Sequence, residues 1–176
     1  VSLVGSSSID QDIALTNGWN IISFHVTPED ANLSSVLAGI IEENILVKVQ
    51  SETGAALEYA AFLESLGLDP WQNNIGNMEN TEGYYVKVNQ ATTISTSGAL
   101  VGLPLDITLT QGWNIISYPS ANSQEALTAL DALIAEGSLE KVQAETGDAI
   151  EYVSFMEDLG LDPWQDSIND FEAGEG

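Results

Sequence analysis

Apolar and polar residues alternate in several short stretches of this chain and take up a helical period in others. Ile13 and Leu15 alternate with polar neighbours, and Trp19 to Phe24 forms a second apolar run. Asn17-Gly18 lies between them. Asn-Gly in that position predicts a β-hairpin over Asp12 to Phe24, because both turn residues would take positive φ. Leu33, Val36, Leu37, Ile40 and Ile41 then fall at i, i+3, i+4, i+7 and i+8, the apolar stripe of a helix that Asn32 would cap. Leu46 to Gln50 reads as a strand and Glu52-Thr53-Gly54 as a turn. Tyr59, Phe62, Leu63 and Leu66 return to helical spacing, with Gly67 where a C′ glycine belongs and Leu68 placed for the accompanying apolar contact. Asp69-Pro70 predicts a new helix start, with Trp71, Ile75 and Met78 on one face. Tyr84 to Val88 and Thr92 to Thr96 read as paired strands around Asn89-Gln90-Ala91.

The pattern occurs twice. Gly18-Trp19-Asn20-Ile21-Ile22-Ser23-Phe24 returns as Gly112-Trp113-Asn114-Ile115-Ile116-Ser117-Tyr118, 94 residues on. Leu66-Gly67-Leu68-Asp69-Pro70-Trp71-Gln72 returns unchanged as Leu159 to Gln165, 93 residues on. A near-constant offset means one unit used twice. Ile107 and Leu109 keep the alternation ahead of Gln111-Gly112. Leu127, Leu130, Leu133 and Ile134 make the helical stripe before Gly137, and Asn122 and Glu125 have capping-box spacing. Leu139 to Gln143 repeats the strand and Glu145-Thr146-Gly147 the turn. Tyr152, Phe155, Met156 and Leu159 precede Gly160, and Trp164, Ile168 and Phe171 follow. The expected organisation is repeat unit one with an N-terminal strand over 1–98 and repeat unit two over 99–176. The expected class is α+β: two tandem homologous repeats, each a small, mainly antiparallel sheet covered by short helices.

Gly176 aligns with Gly83, so the second unit carries no counterpart of Tyr84 to Val88 or of the strand after it. A sheet short of a strand exposes unpaired N–H and C=O groups. Three expectations follow: a piece excised from a longer array, a gap filled by the chain's own N-terminal strand, or a strand donated head to tail by another copy. Val1, Leu3, Val4 and Ile9 are the candidate apolar residues of the donor.

Charge narrows the function. Asp and Glu number 27 against 3 Lys+Arg, for a formal net charge of −24. The cations are Lys48, Lys87 and Lys141, and there is no Arg. A nucleic-acid surface needs cations to neutralise phosphates, so that class is disfavoured. Anionic membranes are disfavoured for the same reason, and no apolar run approaches the ~20 residues that span a bilayer. An acidic surface favours solubility and attracts cations. Hydrophobic content of 44% marks a folded chain. With no Cys, thiol catalysis and thiolate metal sites are excluded. The chain starts at Val1 without Met or a signal-peptide pattern, as a mature or excised product would.

Candidate chemistry is sparse. His25 is the single histidine and has no counterpart in the second unit, so no Ser/His/Asp arrangement can be argued. Glu42, Glu43, Glu58 and Glu64 occupy polar helical positions, where a solvated face is expected. Asp10 and Asp12, and likewise Asp166 and Asp170, place oxygen ligands close together, but neither pair sits in a twelve-residue calcium loop. They are the weak candidates for Ca²⁺; no other cofactor is expected. Phosphate-cradling glycine motifs are absent. Trp19, Trp71, Trp113 and Trp164 recur at fixed places beside apolar runs and are expected in the core, with sugar stacking the alternative. Asn32-Leu33-Ser34 is a formal N-glycosylation acceptor.

The pattern Leu-Thr-x-Gly-Trp-Asn-Ile-Ile-Ser, a helix, Val-Lys-Val-Gln-Ser-Glu-Thr-Gly and then Glu-Gly-Tyr-Tyr-Val-Lys-Val, over most of both units, resembles a module of large secreted and surface proteins of Bacteroidota and related environmental bacteria. There it occurs in tandem beside adhesin-like and secretion-sorting domains. The chain departs from that pattern in having more helix around Ala60 to Met78 and in losing the last strand of unit two. The module carries no known catalytic residues, so none is carried over. The resemblance implies an extracellular, non-enzymatic role: a structural or adhesive cell-surface module, self-associating or packed on neighbouring repeats, as in a filament assembled by strand donation. A carbohydrate- or Ca²⁺-binding module of a larger secreted protein is the alternative.

Overall fold

β-Strands dominate the chain, joined by helices of one turn or little more. In the computed structural model residues 8–176 are described; the candidate donor residues Val1, Leu3 and Val4 lie outside them. The chain is α+β, with several antiparallel sheets and few short helices. It forms two compact units, one of residues up to 121 together with 173–176, the other of 122–172. These bounds differ from the repeat bounds at 98/99. β-Pairing continues through Leu100, and residues 115–118 hydrogen-bond to the first unit.

The larger unit contains β1 (Ser8–Leu15), β2 (Gly18–Ile22), β3 (Val26–Thr27), α1 (Leu33–Val36), α2 (Ala38–Glu42), β4 (Leu46–Gln50), β5 (Ala56–Tyr59), α3 (Ala61–Ser65), β6 (Trp71–Asn73), β7 (Tyr84–Val88) and β8 (Thr92–Leu100). Two antiparallel sheets result, ordered β1-β8-β3 and β2-β7-β4-β5-β6. Both contribute to one core. Gln11, Ile13 and Leu15 alternate inward along β1, and Tyr84, Val86 and Val88 along β7. Phe24, Leu33, Leu37, Val49 and Leu57 complete it.

The expected hairpin over Asp12 to Phe24 does not form. β1 pairs with β8, and β2 with β7, so the chain turns a corner between two sheets. Gly18 takes a φ of 112°, but Asn17 does not go positive, so the two-residue hairpin turn is not made. The Asn20 side chain holds the corner instead. Its Oδ1 accepts from the Thr16 N–H at 2.8 Å, and its Nδ2 donates to the Thr16 carbonyl at 3.0 Å. Asn114 repeats this with Thr110, at 2.8 and 2.9 Å. The expected pairing of Tyr84–Val88 with Thr92–Thr96 fails in the same way, because the chain crosses from one sheet to the other between them.

Other expectations hold or shift locally. Asn32 caps α1, accepting from the Ser34 N–H at 3.0 Å. The helix breaks at Leu37 (φ −100°, ψ 9°), which keeps Leu33, Leu37 and Ile40 buried. Ala56–Tyr59 is a strand, so Tyr59 does not belong to the helical stripe; Phe62 on α3 and Leu66 at its C-cap are exposed. Gly67, at φ 71°, closes α3, with the Leu68 N–H returning to the Leu63 carbonyl. No helix starts at Asp69-Pro70. The Asp69 carboxylate accepts from the Trp71 N–H at 2.9 Å and leads straight into β6.

The smaller unit contains β9 (Gln124–Glu125), α4 (Ala126–Ala129), α5 (Asp131–Ala135), β10 (Lys141–Gln143), β11 (Ala149–Tyr152), α6 (Ser154–Asp158), β12 (Trp164–Asp166) and β13 (Asp170–Phe171). β10-β11-β12 form one antiparallel sheet, and β13 pairs with β9. Its core is small: Ala126, Leu130 and Ile150, with Trp164, Ile168 and Phe171 against them. Glu125 is itself the N-cap, accepting from the Thr128 N–H at 3.1 Å, in place of the expected Asn122 box.

Asn20 is 3% exposed, whereas the matching hydrogen bonds of Asn114 lie at the surface. Asn20→Ala is therefore expected to cost about 1–3 kcal/mol in urea denaturation, and Asn114→Ala clearly less. Equal losses would contradict this role of burial at the corner.

Candidate functional site

The two Ile-Ile-Ser segments make matching backbone contacts. Ile116 bridges to Glu82: the Gly83 N–H donates to the Ile115 carbonyl at 3.1 Å, and the Ser117 N–H to the Thr81 carbonyl at 3.4 Å. Ile22 bridges to Glu175, with the Ser23 N–H donating to the Gly174 carbonyl at 2.9 Å. Glycine is needed at both crossings. A Cβ on Gly83 would lie 2.7 Å from the Ile116 carbonyl oxygen, and one on Gly176 would lie 2.7 Å from that of Ile22. The Ser23 hydroxyl donates to the Glu175 carbonyl and accepts from the Tyr118 N–H at 3.2 Å. The Ser117 hydroxyl is buried and has no partner among the described residues.

The segments differ on their other side. β2 pairs along its whole length with β7, from Gly18 opposite Val88 to Ile22 opposite Tyr84. Gly112–Ile116 has no such ladder, and among the described residues nothing accepts from the N–H groups of Gly112, Asn114 or Ile116. The bond pattern around Ile116 and Glu82 is that of a non-hydrogen-bonded pair, so the N–H and C=O of Ile116 point away from Glu82. The Ile115 N–H is taken by the Glu52 carboxylate at 2.9 Å. Trp113 is 70% exposed, and Leu109 is 42% exposed where its counterpart Leu15 is 3%. Beside the segment runs a cleft of about 280 Å³ between Glu52, Thr81 and Glu82 on one side and Asp106, Asn114 and Ile116 on the other. The arrangement is an open β-edge next to an acidic cleft.

The residues singled out by sequence fall elsewhere. Ile9 lies in β1, opposite Gly98 of the same chain. Asp10 and Asp12 sit on the exposed face of β1, where Asp12 accepts from the Ser95 hydroxyl at 2.6 Å. Asp166 accepts from the N–H groups of Ile168 and Asn169 at 2.8 and 2.9 Å, closing a turn as Asn73 does with Ile75 and Gly76. Asp170 is exposed at the start of β13. No group of three His, Cys, Asp or Glu among the described residues could hold a metal ion. No helix among them is long and apolar enough to cross a membrane.

Trp19 and Trp113 are exposed, against the core expectation, because the alternation that buries Asn20 and Ile22 turns Trp19 outward. Trp71 and Trp164 are half-buried, each edge-on to a tyrosine: Tyr59 at 5.7 Å and Tyr152 at 5.6 Å. Those tyrosines donate to Glu64 and Glu157, which raises both phenol pKa values. His25 is buried; its backbone N–H donates to Gln11 Oε1 at 3.0 Å, and its Nδ1 has no partner among the described residues.

No protein-family model, curated protein or solved structure matches the chain. Its own geometry therefore carries the functional reading. The side chains that set that geometry, Asn20, Gln11 and Asn80, do not stand out by composition. The recurrence of Thr-x-Gly-Trp-Asn at residues 16–20 and 110–114 is the signal that marks Asn20 and Asn114.

Gly83→Ala is expected to cost about 1–3 kcal/mol, because its Cβ meets backbone that cannot swing aside. Gly102→Ala, with open space around it, should stay within about 0.5 kcal/mol. Urea midpoints check both, and an unchanged Gly83→Ala would contradict the close crossing. Burial holds the His25 imidazole below its ordinary 6.5. The unfolded chain then takes up a proton more readily than the folded one. The His25 contribution is full above pH 6.5 and declines as the pH falls below it. The fall in urea midpoint from about pH 7.5 to about pH 5.5 should be smaller in His25→Gln; the same fall in both proteins would contradict it.

Proposed function

We propose that the chain is a structural module of an extracellular, cell-surface array. In this reading residues 1–98 and 99–176 are homologous repeats, and the Gly112–Tyr118 edge of the second is completed by a strand of the Tyr84–Val88 kind from a neighbouring repeat. The observation that carries it is the contrast between two near-identical segments: β2 is laddered to β7, while Gly112–Ile116 keeps the same corner and the same glycine crossing with its ladder face unpaired among the described residues. Strand addition matches that chemistry, since main-chain hydrogen bonds supply affinity and alternate side chains supply register. The β7 pattern, apolar at Tyr84, Val86 and Val88 and polar between, specifies which face turns inward. The acidic surface and the resemblance to tandem modules of secreted proteins support the setting outside the cell.

A synthetic peptide spanning Thr81 to Ala91 tests it. Saturable shifts of the Gly112, Asn114 and Ile116 amide resonances are expected, with quenched solvent access at Trp113. A Val86→Pro peptide should not bind, because proline cannot donate to the ladder. Absence of binding by the unmodified peptide, or equal binding by the proline peptide, would overturn strand addition.

A further inference from the structure

The open face of the five-stranded sheet carries a row that crosses all five strands. Trp19 on β2 lies opposite Lys87 on β7, Lys87 opposite Lys48 on β4, Lys48 opposite Glu58 on β5, and Glu58 opposite Gln72 on β6. Tyr85, two residues before Lys87 and on the same face of β7, adds a second exposed ring. At about 4.8 Å between strands the row is about 19 Å long, the reach of a short oligosaccharide.

Charge makes this row unlike the rest of the surface. The chain has three cations among 176 residues, and two of them stand directly opposite each other here. Like charges facing across strands are destabilising. Lys48 is balanced by Glu58 at 3.0 Å, and the pair recurs as Lys141 and Glu151 at 3.5 Å, so that part is sheet structure. Lys87 has no such balance: among the described residues it makes no ion pair. Its ammonium instead lies 5.5 Å from the centre of the Trp19 ring, with Tyr85 edge-on to that ring at 6.2 Å. Trp19 is 44% exposed and Tyr85 36% exposed, so both rings present apolar surface to solvent.

We propose that this face binds an oligosaccharide bearing carboxylates, a uronic-acid oligomer. A sugar carboxylate pairs with the Lys87 ammonium, which has no ion pair among the described residues. The C–H faces of the sugar rings lie on Trp19 and Tyr85, and Glu58 and Gln72 take up hydroxyls at the far end of the row. The remaining carboxylates of the chain repel a polyanion only over short range, since the screening length is about 8 Å at physiological salt. An acidic peptide would satisfy the lysines but would leave the two open rings without a flat partner. The row shares no residue with the Gly112–Tyr118 segment and stands independently of strand addition.

Calorimetry in about 0.15 M salt, with a chelator present to remove divalent bridges, tests it with three ligands: a galacturonic-acid tetramer, a neutral galactose tetramer and a glutamate tetrapeptide. The galacturonate is expected to bind, and the other two to bind at least about tenfold more weakly, a difference of about 1.4 kcal/mol. Lys87→Gln and Trp19→Ala should each weaken galacturonate binding at least about tenfold, with the circular dichroism spectrum unchanged. No heat with galacturonate, equal or tighter binding of the peptide or the neutral sugar, or an unaffected Lys87→Gln variant would overturn the proposal.

Discussion

A strand removed from water must find partners for its N–H and C=O groups, and the larger unit is arranged by how that demand is met at one kind of segment. β2 is held on one side by β7 and, at its end, on the other side by residues 174–175. Among the described residues, Gly112–Ser117 is held by residues 81–83 and by the Glu52 carboxylate at the Ile115 N–H. Gly83 permits the close crossing that aims β7 at β2, and Gly176 makes the matching approach to Ile22. Burial follows the pairing. Leu15, beside the laddered strand, is almost fully enclosed, while Leu109, beside the open one, is not.

Amide side chains do the joining that hairpin turns would otherwise do. Asn20 closes the corner between β1 and β2. Gln11 reaches from β1 to the Ser23 carbonyl and the His25 N–H, tying the two sheets together across the core. Asn80 donates to the carbonyls of Phe24 and Val26, fixing the bend into β3. Each is a polar group whose hydrogen bonds offset its desolvation, and a truncated partner leaves a buried donor or acceptor unsatisfied. Such joints specify a corner without needing the two flanking strands to pair. A chain can therefore present the same corner in a laddered and an unladdered form.

Much of this was legible in the residues. The strand Leu46–Gln50, the strand Tyr84–Val88, the Asn32 cap and the Gly67 helix end follow from period, propensity and φ, and all four are local properties. What failed was partner choice. Asn17-Gly18 has hairpin chemistry, yet β1 finds β8, which lies more than seventy residues away. Nothing in the turn reports that competitor. Asp69-Pro70 misleads for a related reason: an Asx turn and a helix cap begin with the same carboxylate-to-amide bond, and only the following pairing of β6 with β5 separates them. The apolar neighbours of Trp19 suggest a core position, whereas strict alternation with Asn20 and Ile22 places it outward. The open edge was legible only as a count of strands, and its acidic cleft not at all, because Glu52 and Glu82 reach it from distant parts of the sequence.

Amide hydrogen exchange of the dilute chain bears most directly on the difference between the two segments. Asn20 and Ile22 should be strongly protected, while Asn114 and Ile116 should exchange close to the rate of an unstructured amide. Comparable protection at both pairs in the dilute chain would mean that the second edge already has its partner, and the open ladder would be ruled out.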